Sequence, residues 1–137
     1  MKKPLLLLIL LTLLSACNSD DDNTQTETSS SNPIIGKWKL TEQLMDPGDG
    51  SGTFMAVISN KTIEFYMDGT VTSNGNLCTP TNNTIIGTSG TYNETQYITS
   101  SACATSLGAA YELLTNTSLL ISYPCIEACQ EKYIKIR

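Results

Sequence analysis

The chain has 137 residues, 40% of them hydrophobic and 15% charged, with thirteen Asp and Glu against eight Lys and Arg. It contains no histidine, which removes the commonest general base and metal ligand, and with it Ser-His-Asp and Cys-His catalysis. A net charge of −5 without any basic cluster argues against nucleic acid as a partner.

The first element in chain order is a processing segment. Lys2 and Lys3 precede an apolar run from Leu5 to Leu14 broken only by Thr12, and Ser15-Ala16 supplies the small residues of a cleavage site. About twenty apolar residues are needed to span a bilayer, so the run is too short for a transmembrane helix. Leu14-Ser15-Ala16-Cys17 resembles the lipobox of bacterial lipoproteins. That resemblance implies cleavage before Cys17, diacylglycerol on its sulfur and an acyl chain such as palmitate on the freed amine. Two buried chains suffice for stable anchoring. Residues 1–16 are therefore read as a signal peptide and Cys17 as the lipid anchor to the membrane.

Residues 17–33 follow as a tether. Between Cys17 and Pro33 there is no aliphatic or aromatic side chain other than the cysteine itself, so the stretch has nothing with which to offset the entropy of ordering. Asp20-Asp21-Asp22 resembles the surface-export signal of some Gram-negative lipoproteins, and Asn18 is not the aspartate of an inner-membrane retention signal. The resemblance implies an outer-membrane lipoprotein exposed at the cell surface. Without Lys2 and Lys3 the mature chain keeps six basic side chains against thirteen acidic ones.

Residues 34–137 make one domain with a modest core. "GKWKLTEQL" alternates, placing Trp38, Leu40 and Leu44 on one face and Lys37, Lys39, Thr41 and Gln43 on the other. "DPGDGSG" is a loop, and "TFMAVIS" a short strand. "KTIEFYMDGTVTSNG" reads as a hairpin with Ile63, Phe65 and Met67 on one face and a type I′ turn at Asp68-Gly69. "GTYNETQYIT", "AAYELLT", "SLLISYP" and "EKYIKIR" complete the strands, with a short helix as an alternative within "ATSLGAAYELL". About eight closely spaced strands imply an all-β barrel or sandwich.

"IIGKWKL" carries Gly36-Lys37-Trp38, and this glycine-x-tryptophan resembles the opening of the first lipocalin strand. The following "DPGDGSGTF" and "KTIEFYMDGTVTSNG" resemble the lipocalin-like domains of bacterial surface lipoproteins. The resemblance implies a small antiparallel up-and-down β-barrel whose end is plugged by Trp38, with Arg137 or Lys135 packed across the indole. It also implies a small hydrophobic or amphipathic ligand in the interior, lined by Trp38, Leu40, Phe65, Met67, Tyr111, Leu113, Leu119, Ile121 and Tyr133. Such barrels are either filled by side chains or hold one small ligand. The alternative is a filled barrel acting as a tethered interaction module, whose loops "DPGDGSG", "CTPTNNT" and "CIEAC" contact a protein or glycan.

The cysteines divide by role. Cys17 accounts for the odd count, leaving Cys78, Cys103, Cys125 and Cys129 for an oxidising compartment. Three connectivities are open to them. Cys78–Cys103 with Cys125–Cys129 is the expected one, because each bond joins chain neighbours across a loop. A four-thiolate zinc site would want tighter paired spacings. Asp46 and Asp49 could offer oxygens to Ca²⁺, but their spacing is that of a glycine-rich turn. No catalytic set, cofactor or metal is expected.

Overall fold

The computed structural model describes residues 32–104 and 106–137. The stretch 1–16 expected as a signal peptide, Cys17 expected as a lipid anchor, and all but the last two residues of the expected 17–33 tether lie outside the described residues. The strands are β1 (Gly36–Met45), β2 (Met55–Ala56), β3 (Thr62–Phe65), β4 (Thr70–Ser73), β5 (Thr88–Tyr92), β6 (Tyr97–Thr99), β7 (Ala109–Thr115), β8 (Ser118–Ser122) and β9 (Cys129–Lys135). No helix occurs among the described residues. "ATSLGAAYELL" supplies β7 instead, where Ala109 and Tyr111 turn inward and Ala110 and Glu112 outward.

Every pairing is antiparallel, each strand from β3 onward pairs with the next in sequence, and β9 returns to β1. The result is a closed eight-stranded up-and-down barrel, with the two-residue β2 as an extra strand that continues the β3 side of β1. Closure leaves no long open edge to template aggregation.

The predicted strands needed two corrections. "GTYNETQYIT" is not one strand but the hairpin β5–β6, turning at Asn93–Gln96. "TFMAVIS" contributes only Met55–Ala56. The predicted type I′ turn is also absent: of Asp68 and Gly69 only the glycine has positive φ, at 82°. The chain turns over Tyr66–Gly69, with the Gly69 N–H donating to the Tyr66 carbonyl at 3.2 Å. The Asp68 carboxylate accepts from the Thr70 N–H at 2.9 Å. Asn93–Gln96 repeats this pattern with Gln96 in the left-handed position at φ 65°, a conformation that glycine adopts without strain and glutamine does not.

One register shift decides what faces the interior. Trp38 and Leu40 point inward as the alternation predicts, but β1 bulges between Leu40 and Glu42. Beyond the bulge, Gln43 pairs with buried Glu131 and turns inward, while Leu44 pairs with Gln130 on the outer face. Leu44 was expected beside Trp38; a single extra residue sends it to the other side of the sheet.

The two ends of the barrel differ. At the entry end, where Asn32–Ile35 lead into β1, the connections are the short turns Tyr66–Gly69, Asn93–Gln96 and Asn116–Thr117. At the opposite end emerge four longer connections: 46–61 (which includes β2), 74–87, 100–108 and 123–128. Cys78–Cys103 joins the second to the third, and Cys125–Cys129 spans the fourth. This is the expected connectivity.

Candidate functional site

The interior is built from alternate residues of the strands. Trp38, Leu40, Phe65, Leu119, Ile121 and Tyr133 are all within 1% of complete burial, and Tyr111 is buried beside them. Leu113 is half-buried and packs against this cluster. Met67 does not join it. It lies 87% exposed in the Tyr66–Gly69 turn, because β3 ends at Phe65 and the alternation stops with the strand.

Trp38 closes the entry end. Its indole N–H donates to the Ile34 carbonyl at 2.8 Å, and the Lys135 ammonium lies 5.2 Å from the ring centroid. Of the two cations expected over the indole, Lys135 takes the position; Arg137 instead pairs with Glu64 at 2.6 Å. That contact holds the Glu64 carboxyl below its ordinary range. Gly36 has φ +123°, and a Cβ there would run into the Arg137 carbonyl oxygen. Phe65, Tyr92 and Tyr111 pack as an aromatic trio, with ring centroids 5.1–6.1 Å apart.

The loop end is closed by polar chemistry that the expected lining set omits. Lys61 and Glu131 are both completely buried and form an ion pair at 2.8 Å. Glu131 Oε2 also accepts from the hydroxyls of Tyr123 and Tyr133. Its Oε1 accepts from Gln43 Nε2 at 2.7 Å and from the Thr81 N–H at 2.9 Å. One carboxylate thus gathers five donors from β1, β9 and three of the loop-end connections. Burial pushes the Lys61 ammonium below its usual value, against the opposing pull of Glu131. Burial, with the Glu131 charge adding to it, pushes the Tyr123 phenol far up; Tyr133 is likewise raised, first by burial. All buried side-chain nitrogens and oxygens among the described residues have partners.

The connection 74–87 folds over this cluster. Leu77 is buried, the Ser59 hydroxyl donates to the Asn82 carbonyl at 3.0 Å, and the Thr81 N–H reaches Glu131. Chemically the cluster is a closed structural ion pair, not an exposed acid or nucleophile.

Lys61 and Glu131 were legible. Lys61 has the parity of Ile63 and Phe65, and Glu131 that of Tyr133, so strict period-two reading puts both charges inside. Tyr123 is legible in the same way, sharing the parity of Leu119 and Ile121, whereas Gln43 lies past the bulge and alternation assigns it to the outer face.

The loop Asp46–Gly52 is organised by its own carboxylates. Asp46 accepts from the N–H groups of Gly48 at 2.7 Å, Gly50 at 3.1 Å and Gly52 at 2.9 Å. Asp49 accepts from the Ser51 N–H at 2.9 Å. These bonds lower the Asp46 carboxyl, with Gly48 the largest influence. The oxygens considered for Ca²⁺ are occupied with turning the chain.

Grooves open on the surface that are not lined by Trp38, Leu40, Phe65, Leu119, Ile121 or Tyr133. One of about 760 Å³ runs along the outer wall of β4–β6. The loop end carries a different feature: Ile58, Ile85, Ile86 and Ile126 expose 73–103% of their surface.

No family model, curated protein or solved structure matches this chain.

Proposed function

We propose that this chain is an envelope lipoprotein, held by acyl groups on Cys17, whose filled barrel is an interaction module that docks a partner protein through its loop end. The supporting observation is the set of four isoleucines on three of the four long connections. Ile58 and Ile126 are fully exposed at loop tips, and Ile85 and Ile86 are nearly so. Single exposed apolar residues are ordinary, but four aliphatic side chains concentrated at one end resemble the apolar centre of a protein interface. The disulfides restrain three of the connections, lowering the entropy lost on binding.

A ligand inside the barrel is the less favoured reading. The side chains expected to line a cavity pack against one another, and the mouth opposite Trp38 is occupied by the Lys61–Glu131 cluster. A guest would have to displace fully satisfied polar groups.

The test is site-specific photocrosslinking on intact cells. Crosslinkers at positions 58, 86 and 126 should capture one protein, and a crosslinker at Leu114, near the entry end, should not. Ile58→Ser with Ile126→Ser should abolish capture without lowering thermal stability, since neither side chain is buried. Equal capture from both ends, or uptake of a fluorescent fatty acid that Leu40→Trp blocks, would replace this reading with another. The anchor has its own check: Cys17→Ser should release the protein from membranes, and retention would exclude lipid on that sulfur.

A further inference from the structure

The groove along β4–β6 is lined by none of the exposed isoleucines, and its chemistry is of another kind. We infer that it is a binding site for a neutral carbohydrate chain. This inference is independent of the loop-end reading. Register fixes the floor: Thr70 faces Thr91, Thr72 faces Ser89 and Thr91 faces Thr99 across neighbouring strands, so their hydroxyls share the outer face. The connection 100–108 forms the wall, contributing Ser106 among others. No Asp, Glu, Lys or Arg lines the groove among the described residues.

That lining selects by exclusion. A charged ligand would lose hydration without meeting a countercharge. The hydroxyls already bond Asp68, Tyr66 and one another and stand beside aliphatic lining such as Leu107, so an entirely apolar ligand would meet the aliphatic part but bury the remaining hydroxyl lone pairs unused. A polyol satisfies both demands, because each of its hydroxyls donates and accepts as each Ser or Thr hydroxyl does. The Thr91 and Thr99 hydroxyls hydrogen-bond each other at 3.1 Å, and each keeps acceptor capacity for a sugar hydroxyl. Tyr66, whose hydroxyl is 3.4 Å from Thr72 Oγ1, leaves part of its ring exposed beside the groove as a stacking surface.

Shape and rigidity agree. The volume falls within the range of about 300–1,000 Å³ common to ligand sites. The groove is open along its length, which suits an extended chain that continues beyond the protein. Its wall is fastened at Cys103 to Cys78, and the Ser100 hydroxyl donates to the Ser89 carbonyl at 2.6 Å, so little ordering remains to be done on binding.

The experiment titrates the full mature chain with hexasaccharides of β-linked glucose, α-linked mannose and β-linked galactose, and with an oligogalacturonate as the acidic control. It follows amide shifts by NMR. At least one neutral oligomer should bind with Kd below about 1 mM, moving resonances of β4–β6 and 100–108. Thr72→Ala and Thr91→Ala should each weaken it at least about fivefold while leaving the melting temperature unchanged, since both side chains face outward. The inference is overturned if no neutral oligomer binds at about 5 mM, if binding is unchanged in both variants, or if the acidic oligomer binds more tightly. None of these outcomes bears on crosslinking at the loop end.

Discussion

Removing either member of the buried ion pair should destabilise the barrel, and the deficit left by Glu131→Gln should depend on pH. At 2.8 Å and an effective dielectric near 20, the Lys61–Glu131 attraction is about 6 kcal/mol, most of it offset by the desolvation of two ions. The net worth of the pair is therefore small, but stranding one charge costs about 3–5 kcal/mol. Lys61→Met removes the cation and leaves a carboxylate still held by Tyr123, Tyr133, Gln43 and Thr81, so its loss should lie at the low end of that range. Glu131→Gln strands an ammonium and turns one acceptor oxygen into an NH2 donor, so the carboxamide cannot accept all four further hydrogen bonds and its loss should lie at the high end. For a domain of this size these losses lower the melting temperature by ~15–25 °C.

The pH sign for Glu131→Gln follows from the charge that is left. Glu131→Gln strands a cation whose pKa burial already lowers. Between that lowered value and the unfolded value the unfolded chain binds more protons, so stability rises with pH and the deficit shrinks towards about pH 9. Urea unfolding with intact disulfides, at about pH 5, 7 and 9, reads both deficits. The reasoning fails if both variants lose less than about 1 kcal/mol, or if the Glu131→Gln deficit does not shrink as pH rises from about 7 to about 9.

Two further outcomes follow from the same structure. Tyr123 and Tyr133 have folded pKa values well above 10, so the stability they contribute is fully present below about pH 10 and lost as pH rises further. Above the unfolded lysine pKa the opposing Lys61 contribution has ended, and the two phenols together should remove roughly 2.7 kcal/mol per pH unit. Absorbance at about 295 nm should show their ionisation only in one cooperative step with loss of near-ultraviolet dichroism; smooth ionisation of all six tyrosines before that loss contradicts their burial. Among backbone changes, Gly36→Ala should cost about 1–3 kcal/mol through left-handed strain and overlap with Arg137, whereas Gln96→Gly should be neutral or stabilising by up to about 1 kcal/mol. Equal effects in urea denaturation would refute the contrast.

Much of the barrel was legible because strands speak in a period of two. Trp38 and Leu40 in β1, Ile63 and Phe65 in β3, and Tyr133 in β9 all face the side their alternation assigns. The pattern misled where it was carried past the end of a strand, as at Met67, or through the bulge, as at Leu44. It was also underused: the same parity marks Lys61 and Glu131 as interior, though charge argues for the surface. The hydroxyl groove was not legible, because Thr72, Ser89 and Thr99 are unremarkable polar residues until three strands bring them side by side.

Sequence alone determined the elements: where strands alternate, where glycine and asparagine turn them, and that four cysteines remain once Cys17 is set aside. These are local properties, carried by residues within a few positions of one another. Tertiary structure decided which strand closes on which, that Thr41 is the extra residue that turns Gln43 inward, and that Lys61 meets Glu131 across 70 residues. Those choices depend on long-range register and on the dielectric of a closed interior, and neither exists until the whole barrel has formed.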